Sequence, residues 1–361
     1  MSKKLLLIGA GQAHLSLLRK LKRNSLQDCE VSLLNPTNTF YYSDMFAGFV
    51  EGIYQLEDLQ IDLAELAEKA GIQLIHGTAL SIDVKQKRVL TDKGDILSFD
   101  VLSFDIGTRR KGNELLPEQE KIVQYDRKHH IRRFQNDERK KGTVAIVGGG
   151  TPSIEMSFAI QAWKQKHEVD GEVILISSEN GCEQNGKKGL QRLKGMLQDT
   201  GVQVLENEQV VDVSGGTITT DKRIITYDCL LWMTGLESPK IYNSSKLPTD
   251  DQGYLLVEDT LQIKEFPFIF GAGKGVTIRD HPNLPRTTDS AARQGEVLAE
   301  NLKGYIGSGE GYHFHPQNRV LSIVSVGHRK AFLELGSFST TNKLAWKLKD
   351  KIDRRFVSSN Q

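Results

Sequence analysis

LLLIGAGQAHLSLLRKL, residues 5–21, decides how this chain is read. The run from Lys4 to Ile8, closed by Gly9, has the pattern of a strand buried on both faces. Leu15, Leu18 and Leu21 then recur at helical spacing, and a second apolar run, Val31 to Leu34, follows a polar stretch. A strand–helix–strand unit of this kind implies a parallel sheet with a right-handed crossover. Gly9 and Gly11 stand at the bend. The first glycine permits the turn and the second lets the backbone approach a pyrophosphate, while the helix N-terminus offers N–H groups and a positive dipole end. His14 occupies the place of the usual third glycine.

The pattern returns once. TVAIVGGGTPSIEMSFAI, residues 143–160, repeats strand, glycine turn and helix, with Gly148 and Gly150 in the two glycine roles. EVILIS, Glu172 to Ser177, supplies its next strand. The two turns lie 139 residues apart, too far for a short solenoid repeat, so two separate nucleotide-binding domains explain them better. Further along come a helix from Ile61 to Ala70, strands at Val101 to Phe104 and Cys229 to Met233, and a turn at Gly235. FPFIFGAGKG, residues 266–275, is another buried strand with a glycine-rich end. A helix from Thr288 to Leu302, a β-like stretch at Val320 to Val326 and a basic helix from Asn342 to Phe356 complete the chain.

Composition narrows the function. With 361 residues, 38% of them hydrophobic and 26% charged, the chain is an ordinary globular protein of two or three domains. A net charge of +1 supplies no concentrated basic face for nucleic acid. No stretch approaches the roughly 20 apolar residues of a membrane span, and MSKK at the start leaves no room for a signal peptide. Cys29, Cys182 and Cys229 form no CxxC pattern, which argues for a reducing compartment, the cytoplasm by default, and against a redox disulfide or a zinc site.

The acid that usually binds the ribose about 20 residues past the glycines is missing from both units. Asn35 ends the strand of the first, and Ser177 and Ser178 end that of the second. Asn35 retains hydrogen-bonding capacity toward a ribose. In the second unit Lys187, Lys188 and Arg192 follow closely, so either a 2′-phosphate is recognised there or the cluster is a solvated surface.

The two turns and the late FPFIFGAGKG segment resemble the two-domain flavoproteins of the pyridine nucleotide-disulfide oxidoreductase superfamily, over nearly the whole chain. GAGQAHLSLL, YYSDMFAGFVEGIY, IDLAEL, LSFDIGT, ARQGEVLAENL and WKLKDKIDRRF are more similar to its branch without a redox disulfide, the type II NADH dehydrogenase-like proteins, and within it to the subgroup associated with selenide, water dikinases. The resemblance implies FAD on the first turn, NADH or NADPH as donor on the second, and a late strand that completes the FAD domain. It assigns cofactor contacts to Gly9, Gly11, Gln12, Ala13, His14, Asn35, Pro36, Tyr42, Ser43, Ala79, Gly107, Thr108, Gly273, Lys274 and Gln294 in the first unit. In the second it assigns them to Gly148, Gly150, Thr151, Pro152, Ser153, Ser178 and Gly235. His14 fits the subgroup's variant turn, either turned outward toward the cofactor or filling a gap beside the helix. Glu155 matches a glutamate near the flavin–nicotinamide stack, and equally reads as an acid favoured by the helix dipole. Two features depart from the pattern. Lys274 replaces an aspartate that holds the ribityl chain; a lysine cannot accept that hydrogen bond but is able to pair with phosphate oxygens. Asp289 and Arg293 replace a glutamine pair of the quinone pocket, and Arg293 becomes a candidate stabiliser of a reduced flavin or an anionic acceptor.

No nucleophile triad stands out, and the pairs His129-His130 and His313-x-His315 lack a third ligand at metal spacing. Cys182 has no evident resolving partner for sulfide chemistry. In the C-terminal helix Leu344, Leu348, Ile352 and Phe356 make an apolar stripe amid six Lys/Arg and two Asp between Lys343 and Arg355. This helix either lies on an anionic membrane surface or, the expectation favoured here, docks on the FAD domain with its lysines in water. The sequence therefore predicts an α/β protein of two Rossmann-like dinucleotide-binding domains. An FAD domain at 1–125 and 250–312 encloses an NAD(P)H domain at 126–249, and a C-terminal α+β region covers 313–361. The expected activity is NAD(P)H oxidation through FAD, with a quinone or other small acceptor; a homodimer stays open. A low-turnover cofactor-binding sensor or partner protein is the alternative.

Overall fold

The computed structural model describes residues 2–112, 115–116, 122–124, 142–178, 187–307, 309–317 and 321–361. Cys182, His129 and His130 lie outside them. Two five-stranded parallel sheets organise the chain. In the first, β1 (Lys3–Ile8) is flanked by β2 (Cys29–Asn35) and β4 (Val101–Phe104), with β3 (Gln73–His76) and β10 (Ile269–Gly271) at the edges. In the second, β6 (Val144–Val147) is flanked by β7 (Val173–Ser177) and β9 (Cys229–Trp232), with β8 (Gln203–Glu206) and β5 (Ile122–Gln124) outermost. Every pairing in both sheets is parallel. In each, the strand before the glycine turn is central and its neighbours lead off in opposite directions. This is the switch point at which open α/β sheets bind ligands. Leu5 to Ile8, Val144 to Val147 and Val101 to Phe104 are buried throughout, as strands covered on both faces must be; in the second sheet helices cover one face and Val213, Ile218 and Ile225 of an antiparallel meander the other.

Two antiparallel meanders complete the crossovers, one at Ala79–Asp83, Arg88–Thr91 and Ile96–Ser98, the other at Val210–Ser214, Thr217–Thr220 and Ile224–Thr226. α1 (Gln12–Leu21) is buried from Gln12 to Leu18 because α4 (Thr288–Ile306) packs across it. Gly295 marks the crossing: a Cβ there would strike the Ala13 carbonyl. α2 (Thr151–His167) opens the second unit and α3 (Lys187–Asp199) follows β7.

The C-terminal region is a three-stranded antiparallel sheet, β11 (Leu321–Ser325), β12 (Ala331–Leu335) and β13 (Phe338–Asn342), leading into α5 (Lys343–Ser359). Asn342 caps that helix, accepting from Ala345 N at 2.8 Å. α5 docks, chiefly on β11–β13 and also on Leu56–Leu59, but by a face other than the expected one, and Lys349 is buried rather than in water. Ala345, Asp353 and Val357 are buried, whereas Leu344, Leu348 and Ile352 are exposed, Leu344 at 74%. Of the stripe only Phe356 packs, stacking on Tyr42 at 4.5 Å. The docked face has the same four-residue period, shifted by one position. It is charged, because partners on other elements await Lys349 and Asp353.

Candidate functional site

The first glycine turn is built as the sequence requires. Gly9 has φ 86° and lies so close to the Asp105 carbonyl that any side chain would collide. Gly11 donates to that carbonyl at 3.1 Å. His14 corrects the outward reading. Its ring is fully buried, with Nδ1 2.6 Å from the Gly9 carbonyl and Nε2 2.8 Å from Ser103 Oγ. Space comes from the small Ser103 on β4, so the helix keeps its place without a third glycine. Burial pushes the imidazole down to about 4, leaving it neutral and structural at ordinary pH. Asn35 is likewise spent within the protein: Oδ1 accepts from Ala10 N at 3.0 Å and Nδ2 donates to the Thr37 carbonyl at 2.7 Å. It shapes the turn rather than offering a free amide to a ribose. Pro36 beside it is exposed, and Ala79 is half-buried at the start of the first meander.

Asp105 is the residue that sequence reasoning passed over. It follows β4, is 3% exposed, and accepts from the backbone N–H groups of His14 (3.0 Å) and Ala13. It caps α1 from a distance, since the Gly11 N-cap has no side chain. Burial raises its carboxyl to about 7. The late turn meets it from the other side: a Cβ on Gly273 would collide with the Asp105 carboxylate, and Gly273 N donates to Gln294 Oε1 at 2.7 Å. Lys274 follows, its Nζ 3.4 Å from Thr288 Oγ1, its pKa lowered by burial and by Arg110 and raised by Asp44 and Asp105. Gly107 and Thr108 are partly exposed, and a side chain at Gly107 would project into open space. The cleft therefore opens beside them.

In the second turn Gly148 adopts φ 149° against the Met233 carbonyl, and its N–H donates to the Ile176 carbonyl at 2.9 Å. Thr151 and Pro152 begin α2, and Ser153 Oγ closes on the Gly150 carbonyl at 2.8 Å. The Ser177 hydroxyl is buried without a partner, Ser178 is exposed, and the Gly235 carbonyl accepts from Lys111 N at 2.9 Å. Arg192 reaches Ser339 on the C-terminal sheet at 2.5 Å, so its guanidinium is directed there.

Between the two turns a buried polar cluster joins three parts of the chain. Glu155 on α2 accepts from Ser325 N at 2.7 Å. Lys349 on α5 lies 3.7 Å from Glu155 Oε1, 2.7 Å from Asp353 Oδ2 and 2.6 Å from the Asp44 carbonyl. Tyr42 Oη stands 3.3 Å from Asp353 and 3.4 Å from Asp44, and Ser43 Oγ 3.4 Å from Asp44. Burial raises Glu155 and lifts Asp353 to about 7, while the surrounding carboxylates hold Lys349 above its ordinary value. Lys349 and Asp353 escaped the sequence reading because they look like two more charges on a basic helix. Arg293 stands outside the cluster. It pairs with Asp289 one turn back at 2.8 Å, and both side chains are about half exposed on the surface of α4.

Set against known proteins, residues 3–295 match the pyridine nucleotide-disulphide oxidoreductase family. The NADH dehydrogenase-like protein YutJ of Bacillus subtilis (strain 168) is 22% identical over 326 residues, 85% of this chain and 90% of that protein. A type II NADH:quinone oxidoreductase of Staphylococcus saprophyticus is 25% identical over 338 residues, 84% and 83% of the two chains. The NDH2 structure from Plasmodium falciparum in complex with NADH superposes with a TM-score of 0.83 at 12% identity, covering 100% of this chain and 97% of the other. The chain belongs to the pyridine nucleotide-disulphide oxidoreductase family, as an oxidoreductase that works with FAD and a pyridine nucleotide.

Proposed function

We propose that the protein oxidises NADH or NADPH through FAD and passes the electrons to a quinone or another small acceptor. The observation that carries this reading is the cluster of Glu155, Lys349 and Asp353 at the junction of the two glycine-turn units. Dinucleotides fit the turns: a side chain at Gly107 would meet open space, one at Gly150 would meet only Pro152, and the Ser177 and Tyr242 hydroxyls are buried polar atoms without partners. FAD would be held by residues 9–12, 107–108 and 273–274, within a domain of 1–125 and 250–312. The pairing of β10 with β4 supports that division. The nicotinamide nucleotide would lie on Gly148, Gly150 and the first turn of α2, within 126–249.

FAD, when bound, supplies the two-electron chemistry. The chain's own contribution is electrostatic and protonic. Burial raises both Glu155 and Asp353, Asp353 to about 7, so Asp353 can hold or release a proton near neutral pH, while the charge of Lys349 favours the ionised form of both acids. Reduction of a quinone consumes protons as well as electrons, which suits such a cluster. The type II relatives named above support the acceptor class, and the variant turn GAGQAH is what supports a kinship with the selenide, water dikinase-associated subgroup. The test is steady-state turnover with a soluble quinone. Glu155→Gln should lower kcat by about a hundredfold, the usual scale for a positioned acid–base group, with little change in nucleotide KM. Turnover equal to wild type would refute the role.

The exposed Leu344, Leu348 and Ile352, edged by Lys343, Lys347 and Lys351, also favour peripheral contact with an anionic membrane. No helix among the described residues is long and apolar enough to cross one. The double variant Leu344→Asp/Leu348→Asp should lose co-sedimentation with vesicles containing anionic lipid. Unchanged sedimentation would refute this contact.

A further inference from the structure

Asp105 presents an unusual arrangement: a carboxylate already placed on a helix N-terminus suited to an external anion. It takes the N–H groups of Ala13 and His14 and fills the space left by the missing side chains of Gly11 and Gly273. An anion there shares the positive end of the α1 dipole and its N–H donors with any second anion brought to the same turn. The surroundings do little to neutralise it. On α1, the His14 ring is uncharged and bonded to Gly9 and Ser103. On the late turn, Lys274 favours the carboxylate at a distance and is bonded instead to Thr288 Oγ1 at 3.4 Å. Lys274 itself is flanked by Asp44 and Arg110. From Ile241–Ser244 comes Tyr242, 0% exposed, whose hydroxyl has no partner and whose ring edges against Phe104.

We propose that Asp105 is an internal counter-anion of the α1 N-terminus that must take up a proton before the diphosphate of FAD seats tightly, so that FAD is held more weakly as the pH rises. The proposal rests on the reading that FAD lies on the first turn. Its burial, which raises the carboxyl to about 7, sets the range in which the effect appears. One proton taken up on binding weakens affinity by up to about tenfold per pH unit above that point.

The test follows flavin itself rather than turnover. Release of FAD from the holoprotein is measured by recovery of free-flavin fluorescence, and the equilibrium constant by titrating FAD back, at pH 6.0, 7.0 and 8.5. Wild type should weaken by about tenfold or more between pH 7.0 and 8.5. Asp105→Asn, whose amide oxygen can still accept from Ala13 and His14, should vary less than about twofold and bind tighter than wild type at pH 8.5. A flat wild-type profile, or the same slope in the variant, overturns the proposal while leaving FAD on the turn. A wild-type protein that takes up no FAD at any pH overturns the reading of the turn, and this proposal with it.

Discussion

Replacing Lys349 by Met leaves a side chain of similar length without its charge, in a place where three carboxyl groups converge. Lys349 Nζ lies 2.7 Å from Asp353 and 3.7 Å from Glu155, and Asp44 also acts on it. Its side chain is 12% exposed and that of Asp353 5%. Removing one partner of a buried pair costs about 3–5 kcal/mol, because the remaining charge stays buried. Here the cost depends on pH. Asp353 sits at about 7 in the folded protein against 3.8 as its ordinary value, so its contribution is complete below 3.8 and is lost as the pH rises toward 7. Without Lys349, which lowers both acids, Asp353 and Glu155 move further up. The loss then continues above pH 7, at about 1.4 kcal/mol per pH unit for each additional proton retained. Urea unfolding at pH 5.5, 7.0 and 8.5 measures it. The gap between wild type and variant should widen by about 2 kcal/mol from pH 7.0 to 8.5 for one such acid. A gap constant across that range would show that the cluster's charges are not coupled through Lys349.

Other consequences follow from the turns and the helix crossing. His14, neutral in the fold with a pKa of about 4 against the ordinary 6.5, supports stability above 6.5 that is lost as the pH falls through 4, about 3 kcal/mol in all. His14→Gln should flatten that acid limb in thermal scans, and an unchanged limb would count against a buried neutral imidazole. Gly295→Val forces α1 and α4 apart at Ala13 and should cost about 1–3 kcal/mol in chemical unfolding; wild-type stability would place the crossing elsewhere. Gly9→Ala puts a Cβ against the Asp105 carbonyl at a positive φ, so the purified protein should carry far less flavin than wild type. Equal flavin content would move the cofactor from this turn.

The parallel sheets were legible because glycine turns punctuate fully apolar strands at Ile8 and Val147, and the two turns announce the duplication. The meanders around Arg88 and Thr217 were not, since short half-exposed strands carry little alternation of their own. α3 was hidden in the same way: Lys187, Lys188 and Arg192 attracted attention as charges rather than as the start of a helix. The stretch read as β-like around Val320 to Val326 is a strand at Leu321–Ser325, and the basic helix begins one residue later than expected. Within the site, the orientation of His14 depends on Ser103, 89 positions away, and on the room that a serine leaves. Asp105 and Lys349 each look ordinary locally. Only tertiary packing gives the one a helix terminus and the other its carboxylates. Periodicity found the apolar stripe of α5 but assigned the wrong face inward, because a paired buried charge outweighs the pattern.

The central claim, that this chain carries electrons from a pyridine nucleotide through bound FAD, is tested most directly by an anaerobic visible spectrum before and after NADH and then NADPH. The account predicts flavin bands that bleach within one addition of the preferred nucleotide. A protein that stays colourless even after FAD is supplied, or whose flavin neither nucleotide reduces, would contradict it and leave a cofactor-binding protein without hydride chemistry.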